Sequence, residues 1–167
     1  MKLILIAITV FFTLQSYGQN IVQPEVSFNF LYNQTKGTIS DVEVRMDVDW
    51  SDLSKSEIVG VAKVKNLTTG NGKRDKHLKS EDFFNAEEFP TMEFVCRLME
   101  KNGDRYYAKG DLTIKGVTKT VDFIVVINED SLVWLATIDT TQFGIKVKKG
   151  EGKNKVDIRV EVPNSNL

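Results

Sequence analysis

Three observations predict an all-β fold, an antiparallel meander of about eight strands able to close into a barrel. Apolar residues recur at every second position over most of the chain, turn-forming pairs separate these runs, and only one central stretch lacks the period-two signal. Eight strands over a chain of 167 residues suit long strands joined by short hairpins, and closure removes exposed edges. That length also buries a core without help from disulfides or metals.

The first segment stands apart from this pattern. Lys2 precedes the apolar run 3–14, and Gln15, Ser16, Tyr17 and Gly18 follow it. As a helix the run would reach roughly 18 Å, short of a ~30 Å hydrocarbon core. Ser16 and Gly18 are small and two apart, as signal peptidase requires. Residues 1–18 are therefore expected to be a cleaved export signal, cut before Gln19, leaving one domain over 19–167 with no integral membrane segment.

Strands are expected at 26–32, 41–50, 58–65, 92–99, 106–114, 121–127, 132–139 and 156–162. The clearest is 41–50, where every even position is apolar and every odd one charged, giving one wet and one dry face. Turns fall at Asn102-Gly103-Asp104, Lys115-Gly116 and Asn128-Glu129-Asp130. Between 73 and 88 the alternation stops. Ser80 followed by Glu81 and Asp82 reads as the N-cap and acidic first turn of a short helix, which Phe89-Pro90 ends. The helical insertion thus lies between the third and fourth strands.

Composition narrows the chemistry. With 22 Lys+Arg against 23 Asp+Glu, no surplus of positive charge favours general binding to nucleic acid or anionic membranes. One His and one Cys are too few for a structural zinc site, and Cys96 reads as a small buried hydrophobe. The acidic residues at 41, 43, 47 and 49 form a wet strand face, and no nucleophile–base pair or phosphate loop is legible, so neither an enzyme nor a cofactor is expected. Arg74 and Asp75 fit either a headgroup contact or a loop fastening. The run 146–155 holds five lysines around one Glu and reads first as a solvated loop, second as a site for lipid phosphates.

The dry faces admit two readings, a packed core or a ligand-lined cavity. Ala108, Gly110 and Ala136 sit among bulky neighbours there and leave volume unfilled. A solid-core barrel would make a secreted protein-interaction module.

Four blocks resemble the YceI-like family of lipocalin-like proteins. They are Thr69-Gly-Asn-Gly-Lys-Arg-Asp-Lys-His-Leu-Lys-Ser-Glu-Asp-Phe-Phe-Asn85, Phe89-Pro-Thr-Met-Glu-Phe94, Gly110-Asp-Leu-Thr-Ile-Lys-Gly-Val-Thr-Lys119 and Ile138-Asp-Thr-Thr-Gln-Phe-Gly-Ile145. The chain departs from the family pattern near residues 20–34, and at Lys115 and Thr120. The resemblance implies an exported, lipocalin-like, eight-stranded barrel, periplasmic or secreted, that often pairs as a homodimer. Its tunnel would hold a polyisoprenoid, isoprenoid quinone or fatty-acid derivative. On that reading Phe28, Phe30, Met92, Phe94, Leu98, Tyr106, Leu112, Phe123, Trp134 and Phe143 line the tunnel, and Arg74 and His77 meet the headgroup.

Overall fold

Alternation of apolar and polar side chains becomes strand along most of the chain. A computed structural model describes residues 23–163. Within them lie β1 (Glu25–Phe30), β2 (Thr35–Ile39), β3 (Glu43–Asp47), β4 (Glu57–Lys63), β5 (Leu67–Thr68), β6 (Thr91–Asn102), β7 (Arg105–Ile114), β8 (Val117–Ile127), β9 (Ser131–Asp139) and β10 (Lys155–Pro163). One α-helix, α1 (Gly72–Lys79), separates β5 from β6. The expected export signal lies outside the described residues.

All ten strands belong to one antiparallel sheet in the order β3-β4-β6-β7-β8-β9-β10-β1-β2-β5. Strands next to each other in sequence pair through tight turns, as between β6 and β7 or β7 and β8. The sheet curls into a half-barrel whose end strands, β3 and β5, are not joined by a ladder. Two short connections tie the ends together instead. Residues 40–42 run from β2 to β3, and a 3-10 turn, Val64–Asn66, carries β4 into β5. Lys63 fastens this region, its Nζ lying 3.3 Å from Asp41 and 2.9 Å from Glu43, while Asn66 donates to the Ser40 carbonyl at 3.1 Å.

The strand count is ten, not eight, for local reasons. The run expected at 26–32 ends at Phe30, and residues 31–34 turn, with Gln34 at φ 55°. The returning strand β2, Thr-Lys-Gly-Thr-Ile, carries too little alternation to be read. Its Gly37 is needed because Phe28 folds across it: a Cβ there would stand 2.3 Å from the Phe28 ring. β5 is only two residues long. The helix is also displaced from its expected place. Asn71, not Ser80, caps it by accepting from the Arg74 amide, and Ser80 stands at its C-terminus. Lys76, His77 and Lys79 in the last turn suit the negative end of the helix dipole.

The core lies on the concave side of the sheet. Ala108, Leu112 and Ile114 of β7, Val121, Phe123 and Val125 of β8, and Leu132, Trp134 and Ile138 of β9 are all buried there. β6 changes phase part-way along. A bulge between Cys96 and Leu98 moves the pairing from Cys96–Gly110 to Leu98–Lys109. Met99 therefore turns inward and is 2% exposed, whereas Leu98 turns outward and is 40% exposed.

Candidate functional site

Inside the curl lies a cavity of about 150 Å³. Its walls come from almost every strand: Val26, Phe28 and Phe30 of β1, Val44 and Met46 of β3, Ile58, Gly60 and Ala62 of β4, Met92 and Phe94 of β6, and Ile158 and Val160 of β10. Leu78 of α1, Phe84, Phe143 and Ile145 complete the lining from outside the strands. Apart from Val61 and Glu93, the strand residues of the lining share one phase of the pleat, so period-two patterning in the sequence produces the apolar wall directly.

Aromatic rings build the back of the cavity. Phe94 meets Phe123 edge-on with ring centroids 5.0 Å apart, and Trp134 stands edge-on to both at 6.2 and 6.1 Å. Such edge-to-face packing fixes ring orientation beyond what area burial alone does. Polar atoms are few. Thr140 lines the wall but its hydroxyl donates to the Ile145 carbonyl at 2.9 Å. Glu93 belongs to the solvent face of β6, where its carboxylate accepts from the Thr91 hydroxyl. The indole Nε1 of Trp134 is buried without a hydrogen-bond partner among the described residues. The lining can therefore desolvate an apolar chain and offers it no charge.

Two glycines on the concave face differ sharply. Gly110 is filled space, since an added Cβ would lie 2.5 Å from the Phe94 ring and from the Val95 carbonyl. At Gly60 a Cβ would meet nothing within 4 Å. The unfilled volume expected at Gly110 lies at Gly60, paired with Val44 on one side and Phe94 on the other.

Eight of the ten residues expected to line a tunnel do line the cavity: Phe28, Phe30, Met92, Phe94, Leu112, Phe123, Trp134 and Phe143. Leu98 does not, because the β6 bulge turns it to solvent. Tyr106 lies outside the lining, edge-on to Trp50 at 6.2 Å with Lys101 over its ring. Val42, Val44 and Met46 were legible as a dry face but not as cavity wall, and Gly60 gave no signal of its own.

The two expected headgroup contacts are also outside the lining. Arg74 is exposed and donates from Nε to the Thr69 hydroxyl (2.7 Å) and from Nη2 to the Thr69 carbonyl (3.0 Å). His77 is exposed, packs edge-on against Phe83 and lies 3.8 Å from Asp82. Asp75 is the loop fastening: its buried carboxylate accepts from the Thr69 amide at 2.8 Å, from the Thr68 hydroxyl at 2.8 Å, and from the Thr69 hydroxyl. These bonds, the Thr69 hydroxyl foremost, hold its pKa below the usual carboxylate value. Cys96 is half-buried, and burial pushes its thiol up.

Known proteins share both sequence and shape with this chain. The YceI-like domain profile matches residues 18–163. A relative from Photorhabdus laumondii is 36% identical over 90 residues, covering 54% of this chain and 47% of its own length. Protein YceI of Escherichia coli O157:H7 is 28% identical over 141 residues, covering 78% of this chain and 74% of its own. The chain thus spans about half the length of the first of these relatives and about three-quarters of the second. Among solved structures, Burkholderia cenocepacia BcnA superposes with a TM-score of 0.71 at 18% identity, over 83% of this chain and 93% of its own. A polyisoprenoid-binding domain from Saccharophagus degradans superposes at 0.56 with 9% identity, over 83% and 91% of the two chains. With that profile running from before β1 to the end of β10, the chain belongs to the YceI-like domain family.

Proposed function

We propose that this protein is an exported carrier that holds the tail of a long-chain amphiphile in its cavity for transport, storage or sequestration. The ligand is a polyisoprenoid, an isoprenoid quinone or a fatty-acid derivative. The observation that carries this reading is an interior void whose lining is apolar almost throughout, opened further by the missing side chain of Gly60. Family membership and the polyisoprenoid-binding description of the Saccharophagus domain support it. Burying apolar chain contributes about 0.8 kcal/mol per CH₂, so four or five methylenes supply about 3–4 kcal/mol, roughly 200- to 1000-fold in Kd, without any polar contact. A void of this size takes a ring-sized group or a short stretch of chain. The remainder of a long ligand would leave along the seam between β3 and β5, beside the part-buried Val44, Met46, Val26 and Phe28. The lining holds no nucleophile with a base, which fits binding rather than catalysis.

Export follows from the apolar run at residues 3–14 and its small-residue flank. The test is extraction of protein from its native host followed by mass spectrometry of copurifying lipid. A stoichiometric chain of defined length is expected. Protein that emerges empty and binds no added prenyl lipid refutes the reading.

A further inference from the structure

The net charge of −1 conceals a local asymmetry. Five lysines, Lys146, Lys148, Lys149, Lys153 and Lys155, crowd the connection between Phe143 and β10. The acidic groups nearest in sequence are Glu151 within the loop, Asp139 before it and Asp157 after it. Asp139 is occupied by the Thr141 amide and hydroxyl, and Asp157 by the Thr137 hydroxyl.

This loop is built rather than slack. Asn154 is 3% exposed and holds both ends of it: its Oδ1 accepts from the Val147 and Lys148 amides at 2.8 and 2.9 Å, and its Nδ2 donates to the Lys148 carbonyl at 2.9 Å. Its own carbonyl accepts from the Thr140 amide at 3.0 Å. The β1–β2 turn lies alongside, with the Leu31 amide donating to the Lys155 carbonyl at 3.0 Å. Tyr32 stands between two of the lysines, Lys153 5.2 Å and Lys148 5.9 Å from its ring centre. Both turn residues are large apolar groups facing water, Leu31 37% and Tyr32 50% exposed. Phe143 and Ile145, which precede the lysines in the chain, line the cavity.

We propose that this end of the barrel is a docking face for an anionic phospholipid surface. The lysines meet the phosphates, and Leu31 and Tyr32 enter the headgroup layer, where an amphipathic ring is at home. The pairing of charge with exposed apolar side chains is what selects this face. Helix α1 carries Lys73, Arg74, Lys76 and Lys79, but none of the exposed large hydrophobic residues among the described residues lies on it. Docking here sets the end of the cavity against the bilayer, and the proposal stands whether or not the cavity carries lipid.

Co-sedimentation with phosphatidylcholine vesicles, with and without about one-third phosphatidylglycerol, tests this. The processed protein as exported, which lacks the apolar N-terminal run, is used in every arm. Wild-type protein is expected to bind the anionic vesicles only, and to release as salt rises toward about 0.5 M. Each lysine near the surface contributes about fivefold, so the triple variant K146Q/K148Q/K149Q should bind on the order of 100-fold more weakly. L31S/Y32S should weaken binding by about tenfold. K73Q/K76Q/K79Q, which removes the same charge from α1, should change it little. Equal loss in the two lysine triples, equal binding to neutral vesicles, or no binding by the wild type overturns the proposal. Circular dichroism confirms that each variant is folded, and bound lipid is measured separately, so loss of docking and loss of cargo are read independently.

Discussion

Gly60 and Gly110 both face the concave side of the sheet, yet the same substitution should drive them in opposite directions. Gly60→Leu adds four carbons to open space, since no atom lies within 4 Å of the new Cβ. Burying that side chain is worth ~1.5–3 kcal/mol, reduced by ~0.5–1 kcal/mol of lost rotamer freedom, so stability should rise by about 1–2 kcal/mol. The same four carbons exclude about as much ligand chain. At ~0.8 kcal/mol per CH₂ this weakens lipid binding by about 3 kcal/mol, on the order of 100-fold in Kd. Gly110→Leu instead drives a Cβ to 2.5 Å from the Phe94 ring and the Val95 carbonyl, and the overpacking should cost ~1–3 kcal/mol. Urea unfolding followed by the fluorescence of buried Trp134 measures both stabilities, and titration with a fluorescent prenyl lipid measures binding. If Gly60→Leu is as destabilising as Gly110→Leu, or leaves lipid affinity unchanged, the void at Gly60 is not a binding volume.

Three further outcomes follow from particular side chains. Leu98→Lys should unfold at nearly the wild-type urea midpoint, whereas Met99→Lys buries an unpaired charge at a 2%-exposed position and should cost ~3 kcal/mol or more. Cys96, half-buried and with its thiol pushed up, should alkylate far more slowly in native protein at pH 8 than after urea, as read by mass spectrometry; equal rates would place it in solvent. The Asp75 carboxyl titrates lower when folded than unfolded, so its contribution is present above the ordinary carboxylate pKa and is lost as pH falls through the lowered folded value. Asp75→Asn should accordingly flatten the acid limb of the stability–pH curve, measured by urea midpoints between about pH 2 and 6.

How far the sequence could be read depended on which forces were local. Period two in a half-buried strand is imposed by the pleat itself, so the long strands β6–β10 and most of the cavity wall were legible. A bulge adds one residue without changing composition, and nothing in Met-Glu-Phe-Val-Cys-Arg-Leu-Met distinguishes a phase that continues from one that flips after Cys96. Leu98 was lost to that ambiguity. β2 was missed because its place is fixed by its neighbours: Gly37 makes room for Phe28, and pairing with β1 supplies the backbone bonds. At the helix, the sequence points to a cap at Ser80, and the structure puts it at Asn71. Asn71 prevailed because Gly72–Lys79 carries Leu78 into the cavity lining, which a helix beginning after Ser80 would not do. Gly60 has no side chain to betray a void, and only the distances around it reveal one.

An unclosed sheet ordinarily invites edge-to-edge association, and the way these edges are blunted bears on how the cavity works. β3 spans only five residues, and its solvent face carries Glu43, Arg45 and Asp47. β5, at the other end, is two residues long. Lys63 holds the start of β3 through Asp41 and Glu43, while the far end of β3 pairs with β4 alone. A short charged strand anchored at one end resists pairing with another chain, yet its other end can yield with the loss of few hydrogen bonds. The inward residues of that strand, Val44 and Met46, are the wall nearest the Gly60 void. The same economy of pairing that keeps the edge from aggregating thus leaves the wall of the cavity weakest where a long chain must pass. Cross-linking β3 to β4 through cysteines at Met46 and Ile58, a paired register, should slow lipid uptake and restore it on reduction. Uptake at an unchanged rate in the oxidised protein would place the entrance elsewhere.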